Sequence, residues 1–315
     1  MSSISPRLPA ADLPGLPETL YASEAFEESF ARMEFLVQNR KRCGLLVGGG
    51  GVGKSTLAAY AARTFRRGGS EVVQLDLQAA TEIDILTRLS IDRLPRGTRT
   101  FESLRSARFQ LWRQVVDRCT ELRCQAIPLV ILADHADRAD DSSWSLLQRV
   151  VHLHESTPGM LTLILIADHA RVEKLPPALL EICELRIELF AWTLEDVVRY
   201  LEQRYVNASG TCLFHGDAAV RLWELANGSP RRIVQLAALA QLAACDQKQG
   251  WIGRELLAET FDELSVPAAL VSHRSHRSVL PAAASRPAVP NPAVSSPAVS
   301  NPASLGQGDG AGALR

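Results

Sequence analysis

Two spacings of apolar residues divide the first 190 positions of this chain into predicted elements. Short apolar runs bounded by glycine, proline or charged residues predict strands, and stretches with apolar residues three and four positions apart predict amphipathic helices. Phe26, Phe30 and Met33 form such a stripe in the first helix, for which Ser23 is a candidate N-cap. The predicted strands are 44–47, 71–77, 128–133, 160–167 and 184–190, and the predicted helices are 24–40, 54–67, 81–93, 101–122 and 142–154.

Strands that alternate with helices predict an α/β fold, with a parallel five-stranded sheet flanked by helices. The runs at 128–133 and 160–167 are apolar at nearly every position, which indicates strands buried on both faces. Sheets of this kind bind ligands at the carboxyl ends of their strands. The segment 48–53, Asp134 and the residues after Ala167 all come at such ends, so we expect them to share one site.

The pattern changes after residue 190, where the predicted strands stop and helices follow at 193–205, 217–226, 230–245 and 252–264. From Pro287 to Pro302 proline recurs every five residues without aromatic side chains, which predicts a segment that does not pack. The predicted parts are a flexible N-terminal arm at 1–20, an α/β domain at 21–190, a small all-α lid domain at 191–265 and a disordered tail at 266–315.

Composition indicates the general class of protein, but it does not indicate which reaction or ligand the protein has. A net charge of −1 and a hydrophobic share of 46% indicate an ordinary soluble protein, and the overall charge does not favour nucleic acid. The six cysteines form no C-x-x-C pair, which favours reduced thiols in the cytoplasm. The first 17 residues lack the apolar core of a signal peptide. The longest apolar run, 160–167, is shorter than the ~20 residues of a membrane helix, so we expect no integral membrane segment.

The strongest chemical motif is GGGGVGKST, which begins at Gly48 and fits G-x-x-x-x-G-K-[ST]. It lies between a predicted strand and a predicted helix, the context in which such a loop turns its backbone N–H groups toward phosphate. Lys54 would contact the β- and γ-phosphates of ATP, and the Ser55 hydroxyl would hold Mg²⁺. The alternative is a mobile glycine turn that happens to contain a lysine. The predicted ATP contacts are Gly48, Gly49, Gly50, Gly51, Val52, Gly53, Lys54, Ser55 and Thr56.

Acidic and imidazole side chains follow the next buried strands. Asp134 ends the run LVILAD, so it would bind Mg²⁺ together with Ser55. The next residue is glutamate in many P-loop ATPases, where it polarises the attacking water, but here it is His135. His135 or Asp137 would act as the base in slow hydrolysis; binding without useful turnover and turnover by another route are the other hypotheses. Asp168 would orient water or contact the water around the metal, or it would only cap a turn.

Two arginines are candidates for contact with the terminal phosphate. Arg231 follows the letters GSP at the start of a helix in the predicted lid domain, from which it would reach across to the nucleotide. Arg186 lies on the fifth predicted strand and would project into the site of a neighbouring copy. A surface salt bridge is the alternative for Arg186.

Taken together, these features resemble the AAA+ ATPases of the ExeA and TniB/MuB type, found in general secretion and in transposition. The resemblance runs from about Tyr21 to Leu264 and rests on the lead-in YASEAF, the glycine-rich loop, LVILAD, LTLILIADHARV, ELRIELF with TLEDVVRYLEQR, and LFHGDAAVRLWELANGSPRRI. It implies that Arg231 contacts nucleotide from the sensor-2 helix of the family. It also implies that Arg186 is a finger that acts in trans.

The chain departs from this family at two strand ends. The letters DHAD at 134–137 stand where the family usually has Asp-Glu-Ala-His, and ADH at 167–169 stands where it usually has Gly-Gln-Pro. Both changes affect hydrolysis rather than binding. The membrane segment and wall-binding region of secretion ExeA proteins have no counterpart after residue 265, which counts against a secretion role.

We therefore expect an ATP-dependent switch that binds ATP and Mg²⁺, assembles with copies of itself, and regulates a partner protein or a DNA transaction. A non-hydrolysing ATP-bound scaffold and a secretion-related assembly factor are the alternatives. A P-loop kinase is a third possibility, which the GSPRR helix and the helical lid disfavour.

Overall fold

The computed structural model describes residues 20–90, 101–156, 160–207 and 210–264, and their side chains except at 101–106, 154–156 and 263–264. The chain divides into two units after Ser265, and the second of them lies outside the described residues. The predicted arm (except residue 20), the predicted tail and the end of the helix predicted at 81–93 lie outside the described residues. Within the described ranges, no helix is long and apolar enough to cross a membrane.

Each described strand lies close to a predicted one, and the α/β part begins with a helix. Two 3-10 turns and the short helix α6 were not predicted, because segments of three to six residues are too short for a helical apolar stripe. The strands are β1 (Cys43–Gly48), β2 (Glu71–Asp76), β3 (Leu129–Asp134), β4 (Leu161–Asp168) and β5 (Leu185–Leu189). The helices are α1 (Glu24–Gln38), α2 (Lys54–Arg67), α3 (Glu82–Leu89), α4 (Phe101–Cys124), α5 (Asp141–Ser156) and α6 (Pro177–Glu181), and the 3-10 turns are Ala136–Arg138 and His169–Lys174.

The five strands form one parallel sheet in the order β2-β3-β4-β1-β5. Gly48, the last residue of β1, pairs with Asp168 of β4 on one side and with Leu189 of β5 on the other. Asp76 of β2 pairs with Asp134 of β3. Because all strands run in one direction, their carboxyl ends meet at a single edge of the sheet. The predicted α/β class with a five-stranded parallel sheet is confirmed.

Alternate residues of the strands fill two separate cores, one on each face of the sheet. In β1, Leu45 and Val47 join the core covered by α3, α4 and α5, whereas Leu46 joins the core covered by α1 and α2. β3 and β4 are buried along their whole length except at their last residue, which explains their near-continuous apolar runs. Met33 of α1 is fully buried, so the stripe predicted for that helix faces the sheet.

Four further helices, α7 (Leu194–Arg204), α8 (Ala218–Ala226), α9 (Pro230–Asp246) and α10 (Arg254–Leu264), form the helical part and enclose a third core. Trp192 precedes them, and its backbone N–H donates to the Gly228 carbonyl oxygen at 2.9 Å. The Trp223 indole N–H donates to the Trp192 carbonyl oxygen at 2.9 Å. Gly228 has a φ of +64°, and a Cβ there would lie 2.9 Å from the same carbonyl oxygen. The turn before α9 therefore requires glycine.

Side-chain caps begin helices in both parts. Ser23 Oγ accepts a hydrogen bond from the Phe26 backbone N–H at 3.3 Å, as the sequence predicted for α1. Thr193 and Asp196 form a capping box at the start of α7, in which each side chain accepts from the other residue's backbone N–H. These local contacts explain why both helices begin where the sequence predicted.

Candidate nucleotide-binding site

The glycine-rich loop connects the end of β1 to the first turn of α2. The Lys54 ammonium donates hydrogen bonds to the carbonyl oxygens of Gly48 and Gly49, at 2.7 and 2.8 Å. Gly51 and Gly53 have φ values of +78° and +106°, which side chains rarely adopt. The loop thus holds a cation at the positive end of a helix dipole. The predicted contacts follow in order: Gly48 ends β1, Gly49, Gly50, Gly51, Val52 and Gly53 form the turn, and Lys54, Ser55 and Thr56 open α2.

The two predicted magnesium ligands are in direct contact. Ser55 Oγ donates to Asp134 Oδ2 at 2.6 Å, although the residues are 79 positions apart. Asp134 Oδ1 accepts from the His135 backbone N–H at 2.8 Å, which orients the carboxylate. No group of three or more His, Cys, Asp or Glu side chains in the described ranges is arranged to hold a metal ion. A hydroxyl and one carboxylate still fit Mg²⁺, because its other ligands are usually phosphate and water.

His135 combines an uncommon backbone conformation with a carboxylate partner. Its φ and ψ are 56° and 37°, in the left-handed region that few non-glycine residues occupy. Its Nδ1 lies 2.9 Å from Asp76 Oδ1, at the end of β2. Partial burial raises the pKa of Asp76, but hydrogen bonds from the Gln78 N–H and from His135 outweigh it and lower that pKa overall. An ionised Asp76 keeps the imidazole proton on Nδ1, which leaves Nε2 able to accept one.

Asp137 and Asp168 connect the ends of β3 and β4. Asp137 Oδ1 accepts from the Asp168 backbone N–H at 3.1 Å, and the Asp137 side chain is 2% exposed. Asp137 Oδ2 has no hydrogen-bond donor among the described residues, and Arg138 Nε lies 4.0 Å away. The Asp168 carboxylate accepts from the Ala170 N–H at 3.0 Å and so caps the turn that follows β4. A role for Asp168 in orienting water stays a prediction.

Several charged groups act on the Lys54 ammonium. Burial lowers the pKa of Lys54; the carboxylates of Asp168, Asp134 and Asp137 raise it, and the Arg231 guanidinium lowers it. The net pKa is below the ordinary value of 10.5. The carboxylates come from β3, the 3-10 turn after it and β4, and the arginine comes from α9. The fold therefore brings these five predicted side chains together.

The start of α9 contacts the glycine-rich loop. The Arg231 backbone N–H donates to the Gly51 carbonyl oxygen at 3.2 Å, and Ser229 Oγ donates to the same oxygen at 3.5 Å. N–H groups in the first turn of a helix have no partner within it, so the loop satisfies one of them. Pro230 is the first residue of α9, as predicted. One carbonyl of the loop thus links the α/β part to the helical part.

Arg186 lies apart from this cluster. It is on the edge strand β5, where it pairs with Leu45, three residues before the pair of Gly48 and Leu189. Its guanidinium is 2.7 Å from Glu188 Oε1. Within the chain, Arg186 thus forms the surface salt bridge that was the alternative role expected from the sequence. A role in a neighbouring copy stays a prediction.

Two residues that contact the site, Asp76 and Ser229, were not predicted from the sequence to be part of it. Asp76 is the last polar residue of the second predicted strand, 71–77, and the rule that parallel strands end at one edge would have placed it near Asp134. Ser229 gave no comparable signal, because its hydroxyl bonds to Gly51, 178 residues away. Only the packing of α9 against the loop reveals that contact.

One known protein family matches the part of the chain that contains this site. Residues 37–175 match the family model of an AAA domain. This segment contains the glycine-rich loop and the predicted carboxylates, and it ends before β5. No curated protein matches the chain.

Solved structures with the same fold cover most of this chain. Cdc6p from Pyrobaculum aerophilum has a TM-score of 0.60 at 16% identity, over 81% of this chain and 70% of that chain. The ORC1 protein of Aeropyrum pernix, solved in complex with DNA, has a TM-score of 0.58 at 20% identity, over 80% and 68%. The ORC2 protein of Aeropyrum pernix, solved as ADPNP-ADP complexes, has a TM-score of 0.53 at 17% identity, over 80% and 70%. At such identities the similarity shows the fold alone.

The sequence predicted an AAA+ ATPase of the ExeA and TniB/MuB type. The matches agree with the AAA+ fold, but they do not distinguish that type from other AAA+ proteins. In this chain the matched fold contains the five-stranded parallel sheet, with the glycine-rich loop between β1 and α2. Residues 37–175 therefore match the model of an AAA domain, and the described part of the chain has the AAA+ P-loop fold.

Proposed function

We propose that this chain binds ATP and Mg²⁺ at the glycine-rich loop, hydrolyses ATP slowly, and acts as a nucleotide-dependent switch for a partner protein or a DNA transaction. The Ser55–Asp134 contact is the observation that carries this proposal. Two groups suited to Mg²⁺ meet there, beside a loop suited to phosphate.

Groups on both sides of the loop would hold the phosphates. Lys54 now donates to two backbone carbonyls, and a phosphate oxygen is a stronger acceptor for an ammonium, so Lys54 would turn toward it. Ser55 and Asp134 would hold Mg²⁺, which neutralises phosphate charge when bound. Arg231 is exposed in the first turn of α9 and would reach the terminal phosphate from the helical part.

His135 would act as the base for the attacking water. Asp76 would position it by keeping the proton on Nδ1, so that Nε2 faces the water. Asp137 is the second candidate, because its buried Oδ2 has no donor among the described residues. Neither side chain reproduces the reach and charge of a glutamate at position 135, which is the reason to expect slow turnover.

Contact between Gly51 and α9 would couple the nucleotide to the helical part. Because ATP would occupy the same loop, its phosphates would favour one position of α9 over another. Assembly with a second copy, in which Arg186 reaches the neighbouring nucleotide, belongs to this proposal. The DNA in the Aeropyrum pernix ORC1 structure supports DNA as a candidate partner. Assignment to the ExeA and TniB/MuB type and a cytoplasmic location rest on the sequence.

A nucleotide titration of the full chain tests the proposal. Fluorescent ATP with Mg²⁺ should bind the wild-type protein, and Lys54→Ala should weaken binding by about tenfold to a hundredfold, the equivalent of one charge-assisted hydrogen bond of ~1.5–3 kcal/mol. Lys174→Ala is the matched control, because Lys174 is exposed and outside the loop. Equal affinities for the two variants would refute the proposed site. Steady-state phosphate release with and without DNA then tests turnover and the DNA partner.

A non-hydrolysing scaffold is the second candidate function. It is favoured by His135, whose imidazole is already engaged by Asp76, and by Asp137, whose carboxylate is buried. A scaffold would bind ATP with the affinity expected above but would release no phosphate in a single-turnover experiment with excess protein. Phosphate release in that experiment would exclude it.

A further inference from the structure

Two cysteines that are distant in the sequence meet at the amino end of the sheet. Cys43 is the first residue of β1 and is fully buried, whereas Cys183 lies two residues before β5 and is partly exposed. Their sulfur atoms are 3.3 Å apart, although 140 positions separate the residues. Both are free thiols. They lie at the opposite end of β1 from Gly48 and take no part in the nucleotide site.

Backbone contacts hold the two thiols side by side. The Glu184 backbone N–H donates to the Cys43 carbonyl oxygen at 2.9 Å, just ahead of the pairing between β1 and β5. The Glu184 carboxylate accepts from the Arg42 N–H at 2.8 Å and pairs with Lys41 Nζ at 2.9 Å. The two sulfurs are 3.3 Å apart, and a disulfide bond is about 2.05 Å long. The sulfurs therefore need to approach by only roughly 1.3 Å to form the bond.

The two thiols differ in reactivity. The hydrogen bond from Cys43 lowers the pKa of Cys183, and the same hydrogen bond together with burial raises the pKa of Cys43. Cys183 is also partly exposed, whereas Cys43 is fully buried, so a small oxidant has better access to Cys183. Reactivity follows thiolate character and exposure, so Cys183 is the thiol that reacts first and Cys43 is the partner that resolves it.

We propose that Cys43 and Cys183 form a hydroperoxide-sensitive site that oxidises to a disulfide joining the start of β1 to the segment ahead of β5. The Cys183 thiolate attacks one peroxide oxygen, the O–O bond breaks, and Cys183 becomes a sulfenic acid while hydroxide leaves. The Cys43 sulfur then attacks the Cys183 sulfur, the S–S bond forms, and the S–O bond breaks. With the thiol protons counted, two thiols and one hydrogen peroxide give one disulfide and two waters.

Mass spectrometry of the full chain after peroxide treatment tests this site. Reduced protein is exposed to hydrogen peroxide, free thiols are blocked with N-ethylmaleimide, and the digest is searched for a Cys43–Cys183 cross-link, lighter than the two thiol peptides by two hydrogen atoms. We expect that cross-link before Cys124 and Cys245, which are exposed, are oxidised. Dithiothreitol should remove it. The proposal would be overturned if Cys183 still reacted with N-ethylmaleimide after peroxide treatment, or if it were oxidised to sulfinic acid without forming the cross-link.

A variant and a measurement of motion complete the test. In Cys183→Ser the buried Cys43 should stay reduced under the same peroxide treatment, and oxidation of Cys43 at the wild-type rate would contradict the assigned order. In the oxidised wild-type protein, amide exchange in β5 should slow by about tenfold or more, while the opposite edge strand β2 stays unchanged. Equal exchange in β5 before and after oxidation would show that no covalent tie has formed.

Discussion

Partial burial costs the Lys54 ammonium some of its hydration, and the carboxylates around it restore part of the lost stabilisation. The resulting pKa is below 10.5, so the free protein contains some neutral Lys54 at alkaline pH, below the pH at which an exposed lysine loses its proton. A triphosphate favours the ammonium form, so binding and protonation are linked. Proton uptake on ATP binding would therefore show that Lys54 contacts the phosphates, because a lysine that only lies near the site would not change its protonation.

Calorimetry at alkaline pH checks this linkage. ATP binding to the wild-type protein should take up protons between the lowered pKa and 10.5, seen as a binding enthalpy that changes with the ionisation enthalpy of the buffer. Affinity should fall as pH rises through the same window. Lys54→Arg should lose both effects, because arginine stays charged. Identical buffer dependence in the two proteins would assign the proton to another group.

His135 is the residue at which this chain departs most from a P-loop ATPase with glutamate at that position. We predict that His135→Glu raises turnover by about tenfold or more, within the range of a general base, and leaves ATP affinity unchanged. Asp76 would repel the new carboxylate and so direct it away from β2, toward the nucleotide. Phosphate release is the measurement, with Asp76→Asn as the companion variant that lowers wild-type turnover. A flat or falling rate in His135→Glu would place the base elsewhere.

At the scale of elements, the junction between the glycine-rich loop and α9 is the contact that the switch depends on. Gly51 contributes the carbonyl that accepts from α9, and its φ is +78°. A Cβ at this position would lie 2.7 Å from Ser229 Oγ and 3.3 Å from Arg231 Cβ. Any side chain there must therefore strain the loop or displace the start of α9.

Gly51→Ala should weaken ATP binding by about tenfold, because left-handed backbone costs a non-glycine residue about 1–2 kcal/mol. Gly50→Ala is the matched control in the same loop, since its added Cβ would meet nothing within 4 Å. Titration with fluorescent ATP compares the two variants. Equal affinities would mean that the contact between the loop and α9 does not matter for binding.

At the scale of the whole molecule, three cores account for the described part of the chain: two on the faces of the sheet and one among α7–α10. The last helix, α10, contributes Leu256 and Leu257 to the third core. Val266–Arg315 forms a separate unit outside the described residues, and its proline-rich composition predicts that it does not pack. The core of the molecule should thus depend on α10 and not on the tail.

Removal of residues 266–315 should leave the melting temperature and the ATP affinity unchanged within error. Removal of residues 254–315 is the control, because the loss of α10 exposes the third core and should lower the melting temperature by several degrees. Thermal unfolding and ATP titration of both truncated proteins make the comparison. A large drop in melting temperature for the shorter truncation would show that the tail packs after all.

The sequence alone determined the strands, most of the helices, the Ser23 cap of α1 and the glycine-rich loop, because these depend on residues a few positions apart. Tertiary structure alone decided which side chains meet. The Ser55–Asp134 contact, the pairing of His135 with Asp76 over 59 positions and the contact of Ser229 with Gly51 over 178 positions all follow from the order β2-β3-β4-β1-β5 and the packing of α9. Apolar spacing records that a strand is buried, but it does not record which strand lies beside it.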